Sequence, residues 1–295
     1  MFTRAIQKVS AFTRPIHFIS RYYGSAEVRP GAATMFFINA DGFALTCRHV
    51  SDQLFLSRTL PAAYATFKAA VAAPRGKLTA PRHLREVEKR FRFTHDTLIE
   101  LQFHFMNCVD TLTDIKITPH PTLDLALIQF QGFTKLDCNT FPLFPKDPAA
   151  GPRQGQFVCR LGFPFPEFSN FSYDATTDAI VWNSTGRIDT PQFPIEGMVT
   201  RQVMDAAGQV VGFEVSTPGL RGQSGGPAFT VDGVVLGMQS TTFHVDLDFD
   251  VDLIVPRGGH MRPVRESAVM HVGRCVHVEA IKAFLRSHNV TFDEA

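Results

Sequence analysis

Short segments rich in Val, Ile, Phe and Thr recur along most of the chain, and this pattern limits its possible folds more than any other feature. Examples are ATMFFIN at 33–39, LALIQF at 125–130 and QFVCRLGF at 156–163. Gly, Pro, Asn and Asp residues separate the segments. β-branched and aromatic residues favour strands, and frequent turn residues favour short strands with tight connections. The sequence therefore predicts a mainly β fold, either a barrel or a sandwich.

Two segments depart from this pattern. Residues 54–107 carry Ala, Leu, Glu, Lys and Arg with apolar residues three or four positions apart, which predicts a helical insertion. The segment at 277–288 has the same spacing and predicts a closing helix. An insertion of this size in a β unit is usually functional, so we expect 54–107 either to gate a cleft or bind a regulatory protein, or to decorate the scaffold.

The segment Lys146–Arg153 is polar and rich in Pro, Gly and Ala, and it lies between two groups of predicted strands of similar length. Such composition is typical of a boundary between structural units. We therefore expect one β unit over residues 1–150, which includes the 54–107 insertion, and a second over 151–295, which includes the closing helix.

Charge and cysteine content exclude several classes of function. The 29 basic and 28 acidic residues give a net charge of +1, which argues against nucleic acid or an anionic membrane as a partner. Five cysteines without paired spacing indicate a reducing compartment, not a disulfide framework. The chain shows neither a secretory signal nor an apolar run long enough to span a membrane, so we expect a soluble, cytoplasmic protein.

Three short strings carry the chemistry. DGFALTCRHV (41–50) places His49 at the end of an apolar strand, and LDLALI (123–128) places Asp124 at the start of another. A carboxylate at that position needs a hydrogen-bond donor such as an imidazole N–H. GQSGGP (222–227) places Ser224 in a glycine-lined turn whose backbone N–H groups can converge on a carbonyl.

These strings, in this order, resemble the His, Asp and Ser signatures of the trypsin/chymotrypsin-like serine peptidases. The three residues are 75 and 100 positions apart. The resemblance implies a double antiparallel β-barrel with His49 and Asp124 from the first barrel and Ser224 from the second. It also implies a catalytic triad of these three residues, an oxyanion hole of the Gly222 and Ser224 N–H groups, and no metal or organic cofactor.

Within the family the chain is more similar to HtrA-like and other bacterial intracellular members than to the digestive enzymes, as DGFALT before His49 and LGFP at 161–164 indicate. It departs from the HtrA pattern because too few residues follow Thr242 to form a PDZ domain. Gln223 stands where digestive zymogens have an Asp that pairs with a freed N-terminus. Glutamine cannot form that ion pair, so we expect any activation to be conformational.

The resemblance also indicates the walls of the substrate pocket. We expect them to come from two short segments that flank Ser224 in sequence, namely Thr217, Pro218, Gly219 and Leu220, and Ser240, Thr241 and Thr242. Since no charged side chain stands at the pocket-base position that the resemblance suggests, near Pro218, a small or apolar substrate residue is favoured. Alternating carboxylates at Asp246, Asp248, Asp250 and Asp252 favour either basic substrate residues or a solvated strand face.

The sequence thus predicts a serine endopeptidase that cleaves proteins through an acyl-enzyme and is regulated by conformation or by a partner. One alternative is a protease-like module that recognises a protein partner in a regulated stress or defence assembly. Another is an esterase or acyl transferase that uses the same three residues.

Overall fold

Six antiparallel strands between residues 13 and 131 form the first sheet of the structure, a computed structural model that describes residues 1–74, 76 and 78–295. The sheet curls into a half-barrel with the strand order β4-β1-β2-β3-β6-β5. The strands are β1 (Thr13–Tyr22), β2 (Arg29–Phe37), β3 (Phe43–Thr46), β4 (Leu98–Phe105), β5 (Asp114–Pro119) and β6 (Ala126–Gln131).

A closed antiparallel barrel forms from the second half of the chain, in the order β11-β12-β15-β14-β13-β8, with β8 also paired to β11. β9 and β10 form a separate hairpin, and β16 pairs in parallel with β7. The remaining strands are β7 (Leu143–Phe144), β8 (Phe157–Gly162), β9 (Phe171–Asp174), β10 (Ala179–Trp182), β11 (Phe193–Met204), β12 (Val210–Val215), β13 (Pro227–Phe229), β14 (Val235–Arg257), β15 (His260–His277) and β16 (Asp293–Glu294).

The predicted mainly β, double-barrel class is confirmed, with one difference between the two units. The second unit closes by hydrogen bonds, whereas among the described residues no strand ladder joins β4 to β5, the two edges of the first sheet. The predicted boundary at 150/151 falls in a 3-10 turn at Pro148–Ala150, between the strands of the two sheets.

In the described part of the chain, four α-helices accompany the sheets. α2 contacts both edge strands of the first sheet, β4 and β5, and so lies where that sheet stays open. α4 belongs to the main hydrophobic core through Ile281, Phe284 and Leu285, together with residues from both sheets. The helices are α1 (Thr3–Ser10), α2 (Arg48–Ala72), α3 (Ala80–Phe91) and α4 (Val278–Ser287).

The prediction of helix throughout 54–107 is wrong at both ends. α2 begins at Arg48, so His49 lies in the first turn of a helix and not at the end of a strand. Leu98–Phe105 forms strand β4, which pairs with β1 over most of its length. Its apolar residues alternate, and pairing with an existing strand outweighs the helix propensity of its Leu, Glu and Gln.

The β14–β15 hairpin extends well beyond the barrel, with most of its outer residues exposed. The predicted alternation of four carboxylates is interrupted, because a bulge lies between Asp246 and Asp250 and Asp248 has a φ of 58°. Asp250 pairs with Arg265 across the hairpin at 2.7 Å. All four carboxylates are exposed, and none of them lines the cleft described below.

None of the helices in the described part of the chain combines the length and apolar character needed to cross a bilayer.

Phe67 fixes α2 to the rest of the molecule. Its ring is 3% exposed and stacks on Phe93 with centroids 4.1 Å apart, while the ring of Tyr23 meets it edge-on at 5.2 Å. The aromatic contacts therefore join the helix to the residues around β1 and β4.

We expect Phe67→Ala to lower the free energy of unfolding by about 3–5 kcal/mol, because it leaves a cavity among stacked rings. Phe55→Ala in the same helix is the matched control, since Phe55 is 40% exposed and its loss costs well under 1 kcal/mol. Urea unfolding followed by circular dichroism measures both. Equal midpoints for the two variants would show that α2 is not anchored through Phe67.

Candidate active site

His49 and Asp124 are brought together by the ends of β3 and β6. Asp124 lies two residues before the start of β6, which pairs with β3, and His49 follows β3 in the first turn of α2. The His49 Nδ1 atom lies 3.0 and 2.9 Å from the two Asp124 oxygens, and the His49 backbone N–H donates to Oδ1 at 3.0 Å. One carboxylate therefore fixes both the imidazole ring and the backbone of His49.

The Asp124 carboxyl group is ionised at neutral pH. Burial acts to raise its pKa, but hydrogen bonds from His49 and from the Ser240 hydroxyl outweigh this and lower the pKa to about 2. The Ser240 Oγ atom lies 2.6 Å from Oδ2. Because the carboxylate only accepts hydrogen bonds, His49 Nδ1 carries a proton and Nε2 is left as the acceptor.

Ser224 lies in the turn between β12 and β13 and lines a cleft of about 390 Å³ together with His49. Among the described residues its hydroxyl has one partner, the Ser240 carbonyl oxygen at 3.2 Å, and it makes no hydrogen bond to His49. The cleft therefore holds both side chains, but the Ser224–His49 hydrogen bond needed for proton transfer is not formed in this structure.

The backbone N–H groups of Gly222 and Ser224 are free of protein acceptors among the residues described. Gly222 has a φ of +99° and Gly225 a φ of +90°, a region that residues with a side chain rarely adopt. A Cβ on Gly225 would lie 2.0 Å from the Thr34 carbonyl oxygen. These glycines let the turn lie directly against strand β2.

Thr34, buried in β2, ties the Ser224 turn to the first sheet. Its hydroxyl donates to the Gly222 carbonyl at 2.7 Å and accepts from the Phe163 N–H at 3.1 Å. Its backbone N–H donates to the Ser224 carbonyl at 3.0 Å. Thr34 could not be predicted from the sequence, because nothing in its own strand distinguishes it from other strand threonines.

Gln223 is fully buried and braces the same turn. Its Oε1 accepts from the Leu220 N–H at 3.0 Å, and its Nε2 donates to the Phe193 carbonyl at 3.0 Å. The neutral amide thus satisfies its neighbours by hydrogen bonds alone.

Five of the seven predicted pocket residues line the cleft: Gly219, Leu220, Ser240, Thr241 and Thr242. Thr217 and Pro218 are not among the lining residues; they bond to the side chain of Arg160 instead. Two lining residues, Arg221 and Gln239, were not predicted. Arg221 directly follows one predicted segment and Gln239 directly precedes the other, so each segment extends one residue further than predicted.

Cys47, His49 and Asp124 are the one group among the described residues whose possible metal-ligand atoms all lie within 4.8 Å of one another. Cys47 Sγ donates to the Gln239 carbonyl at 3.3 Å, and burial raises the pKa of its thiol well above the ordinary value. The Asp124 oxygens are already bonded to His49 and Ser240. We therefore assign these three side chains to hydrogen bonding.

The chain matches one known protein family in sequence and is similar to a solved protease structure. The family described as the trypsin-like peptidase domain matches residues 33–238. Among solved structures, a variant of the HtrA-type protease AlgW with a tripeptide is similar, with 11% sequence identity and a TM-score of 0.48. That match covers 97% of this chain and 63% of the AlgW chain, so this chain spans less than two thirds of its length. No curated protein matches in sequence.

We expect Thr34→Val to destabilise the protein by about 1–3 kcal/mol, because it leaves the buried Gly222 carbonyl and Phe163 N–H without partners. Thr34→Ser is the matched control, since it keeps the hydroxyl. Urea unfolding measures the difference, and identical midpoints for the two variants would contradict the role of the hydroxyl.

Ser240→Ala removes one donor to Asp124 and should raise the pKa of that carboxyl from about 2 toward 3.8. The depressed pKa stabilises the fold fully above pH 3.8 and progressively less as the pH falls toward 2, so the variant loses part of this contribution. Carboxyl carbon chemical shifts followed by NMR during an acid titration measure the pKa. Ser240→Thr keeps the hydroxyl and should titrate as wild type; an unchanged pKa in Ser240→Ala would refute the assignment.

Proposed function

This chain belongs to the trypsin-like peptidase family, and on that premise we propose that it is a serine endopeptidase whose triad is Ser224, His49 and Asp124. The family match over residues 33–238 confirms the predicted membership of the trypsin/chymotrypsin-like serine peptidases. The observation that carries the proposal is the contact of His49 with Asp124 through both carboxylate oxygens, in the same cleft as the Ser224 hydroxyl.

The proposed reaction begins when Ser224 Oγ turns from the Ser240 carbonyl toward His49 and attacks the substrate carbonyl carbon. His49 Nε2 accepts the hydroxyl proton, and the Asp124 carboxylate stabilises the resulting imidazolium. The tetrahedral intermediate collapses as His49 gives the proton to the leaving amine, which leaves an ester on Ser224. Water, deprotonated by His49, then hydrolyses the ester and restores the hydroxyl.

The Gly222 and Ser224 N–H groups are proposed to bind the oxyanion of the intermediate. Support comes from their lack of other acceptors among the described residues and from the bonds that fix this turn to Thr34 and Gln223. Donors fixed in advance do not have to reorganise during the reaction, and one such donor contributes about 3 kcal/mol to transition-state stabilisation.

We also propose that activation is conformational and does not need a new N-terminus. Gln223 fills the position before Ser224 with a neutral amide that already bonds to Leu220 and Phe193. The direction of the Ser224 hydroxyl toward Ser240 supports a resting state in which the nucleophile is not yet activated. Discovery that only an N-terminally cleaved form has activity would refute this proposal.

The same hydroxyl direction favours a second candidate function, a protease-like module that binds a protein partner with little turnover. An esterase or acyl transferase would use the same residues and would cleave esters but no protein. Partner binding by the 54–107 insertion and a cytoplasmic location stay predictions.

A fluorophosphonate probe, which reacts with activated serine hydroxyls, should label the wild-type protein and fail to label Ser224→Ala. Labelling should also fall strongly in His49→Ala, because the proton acceptor is lost; loss of a triad member typically reduces kcat by a factor of about 10⁴ to 10⁶. Mass spectrometry of the labelled peptide identifies the site. Ser216→Ala, which changes an exposed serine outside the cleft, is the matched control.

Labelling of wild type without cleavage of any protein in a proteome-wide survey of new N-termini would favour the esterase. The absence of labelling under all conditions would favour the binding module and refute the endopeptidase.

A further inference from the structure

Arg160 is a fully buried cation without a carboxylate partner. Its side chain lies inside the barrel on β8 and has no exposed surface. Its hydrogen-bond acceptors are all neutral oxygens, and no ion pair to it occurs among the described residues, which include every Asp and Glu of the chain. Among the described residues its Nε atom has no hydrogen-bond partner. A buried charge without a counter-charge is costly and leaves uncompensated positive potential around it.

The acceptors of Arg160 place it directly behind the wall of the cleft. Nη1 lies 2.5 Å from Oε1 of Gln239, which lines the cleft. Nη2 donates to the Thr217 carbonyl at 2.9 Å and to the Pro218 carbonyl at 3.1 Å, in the segment that leads to Gly219 and Leu220. The guanidinium therefore supports both the strand and the loop that form the two sides of the pocket.

The lining of the cleft is also free of negative charge. Among the lining residues Arg221 is the one permanently charged side chain, and no Asp or Glu is present. Asp124 lies behind His49, where its charge is bonded to the imidazole and to Ser240. Arg221 is exposed, so solvent screens its charge, whereas the charge of the fully buried Arg160 acts on the pocket through the protein interior.

We propose that this pocket selects substrates with an acidic side chain, Asp or Glu, at the residue before the scissile bond, and that Arg160 determines this preference. The inference rests on the proposed endopeptidase function and deepens it. Gln239 links Arg160 to the pocket, because its Oε1 accepts from Arg160, its Nε2 donates to the Thr241 carbonyl at 2.9 Å, and both Gln239 and Thr241 line the cleft. The preference for a small or apolar residue expected from the sequence is replaced, since that expectation took no account of Arg160.

Two peptide substrates test the proposal during turnover. They are identical except that the residue before the cleavage site is Glu in one and Gln in the other. We expect wild type to cleave the Glu peptide with a kcat/KM at least about tenfold higher, a ratio that corresponds to about 1.4 kcal/mol. Gln239→Glu would place a carboxylate on Arg160 and neutralise it, so the ratio should fall to one or below. Cooperative urea unfolding of Gln239→Glu would show that the variant is folded. The variant leaves the buried arginine in place.

Arg221→Gln is the matched control, because it removes the exposed cation of the same cleft and leaves Arg160 in place. The ratio should persist in Arg221→Gln. Loss of the ratio in Arg221→Gln together with its retention in Gln239→Glu would assign the preference to Arg221 and overturn the role of Arg160.

A binding measurement separates this inference from the endopeptidase proposal. Titration calorimetry with Ser224→Ala compares two product-like peptides that end in Glu or in Gln, and we expect at least about tenfold tighter binding of the Glu peptide. The difference should disappear in Ser224→Ala/Gln239→Glu. Equal affinities in Ser224→Ala would overturn the pocket inference even if the probe labels wild type, whereas absent labelling with a Glu preference would overturn only the proposed chemistry.

Discussion

The hydrogen bonds of Thr34 are the constraint on which the geometry of the cleft depends. His49 lies in α2 directly after the first sheet and Ser224 in a turn of the barrel, so their approach requires a fixed contact between the two units. Thr34 supplies it with one hydroxyl and one backbone N–H, bonded to Gly222, Phe163 and Ser224. Gly225 makes this contact possible, since any side chain there would collide with the Thr34 carbonyl. The position of Ser224, the proposed nucleophile, is therefore set by a strand from the other sheet.

Two charged groups flank the cleft, the partly buried Asp124 and the fully buried Arg160, and their surroundings differ. Asp124 is surrounded by donors from His49 and Ser240, and these bonds outweigh the effect of burial on its pKa. The hydrogen-bond acceptors of Arg160 among the described residues are carbonyl, amide and hydroxyl oxygens, and burial lowers the pKa of its guanidinium. The paired charge orients the His49 imidazole, which we propose as the base, whereas the unpaired charge is the source of the positive potential that we propose acts on a substrate.

Much of the fold and most of the site followed from local patterns. The strand pattern, the closing helix and the three strings with His49, Asp124 and Ser224 depend on residue order and short spacings, which a sequence displays directly. The helix prediction for Leu98–Phe105 is wrong because the composition of this segment is also compatible with helix. Hydrogen bonding to the free edge of β1 stabilises the strand instead. Thr34, Gln239 and Arg160 escaped prediction because each is an ordinary strand residue until distant segments pack against it.

By itself the sequence determined the family, the β class and the residues able to supply a nucleophile, a base and a carboxylate, because these properties belong to short, ordered strings. Only the tertiary structure decided that the Ser224 hydroxyl faces Ser240 instead of His49, that Thr34 holds the turn, and that an unpaired guanidinium lies behind the pocket. Each of these depends on distances between atoms far apart in the chain. Such distances follow from how the two sheets pack, and no local pattern encodes that packing.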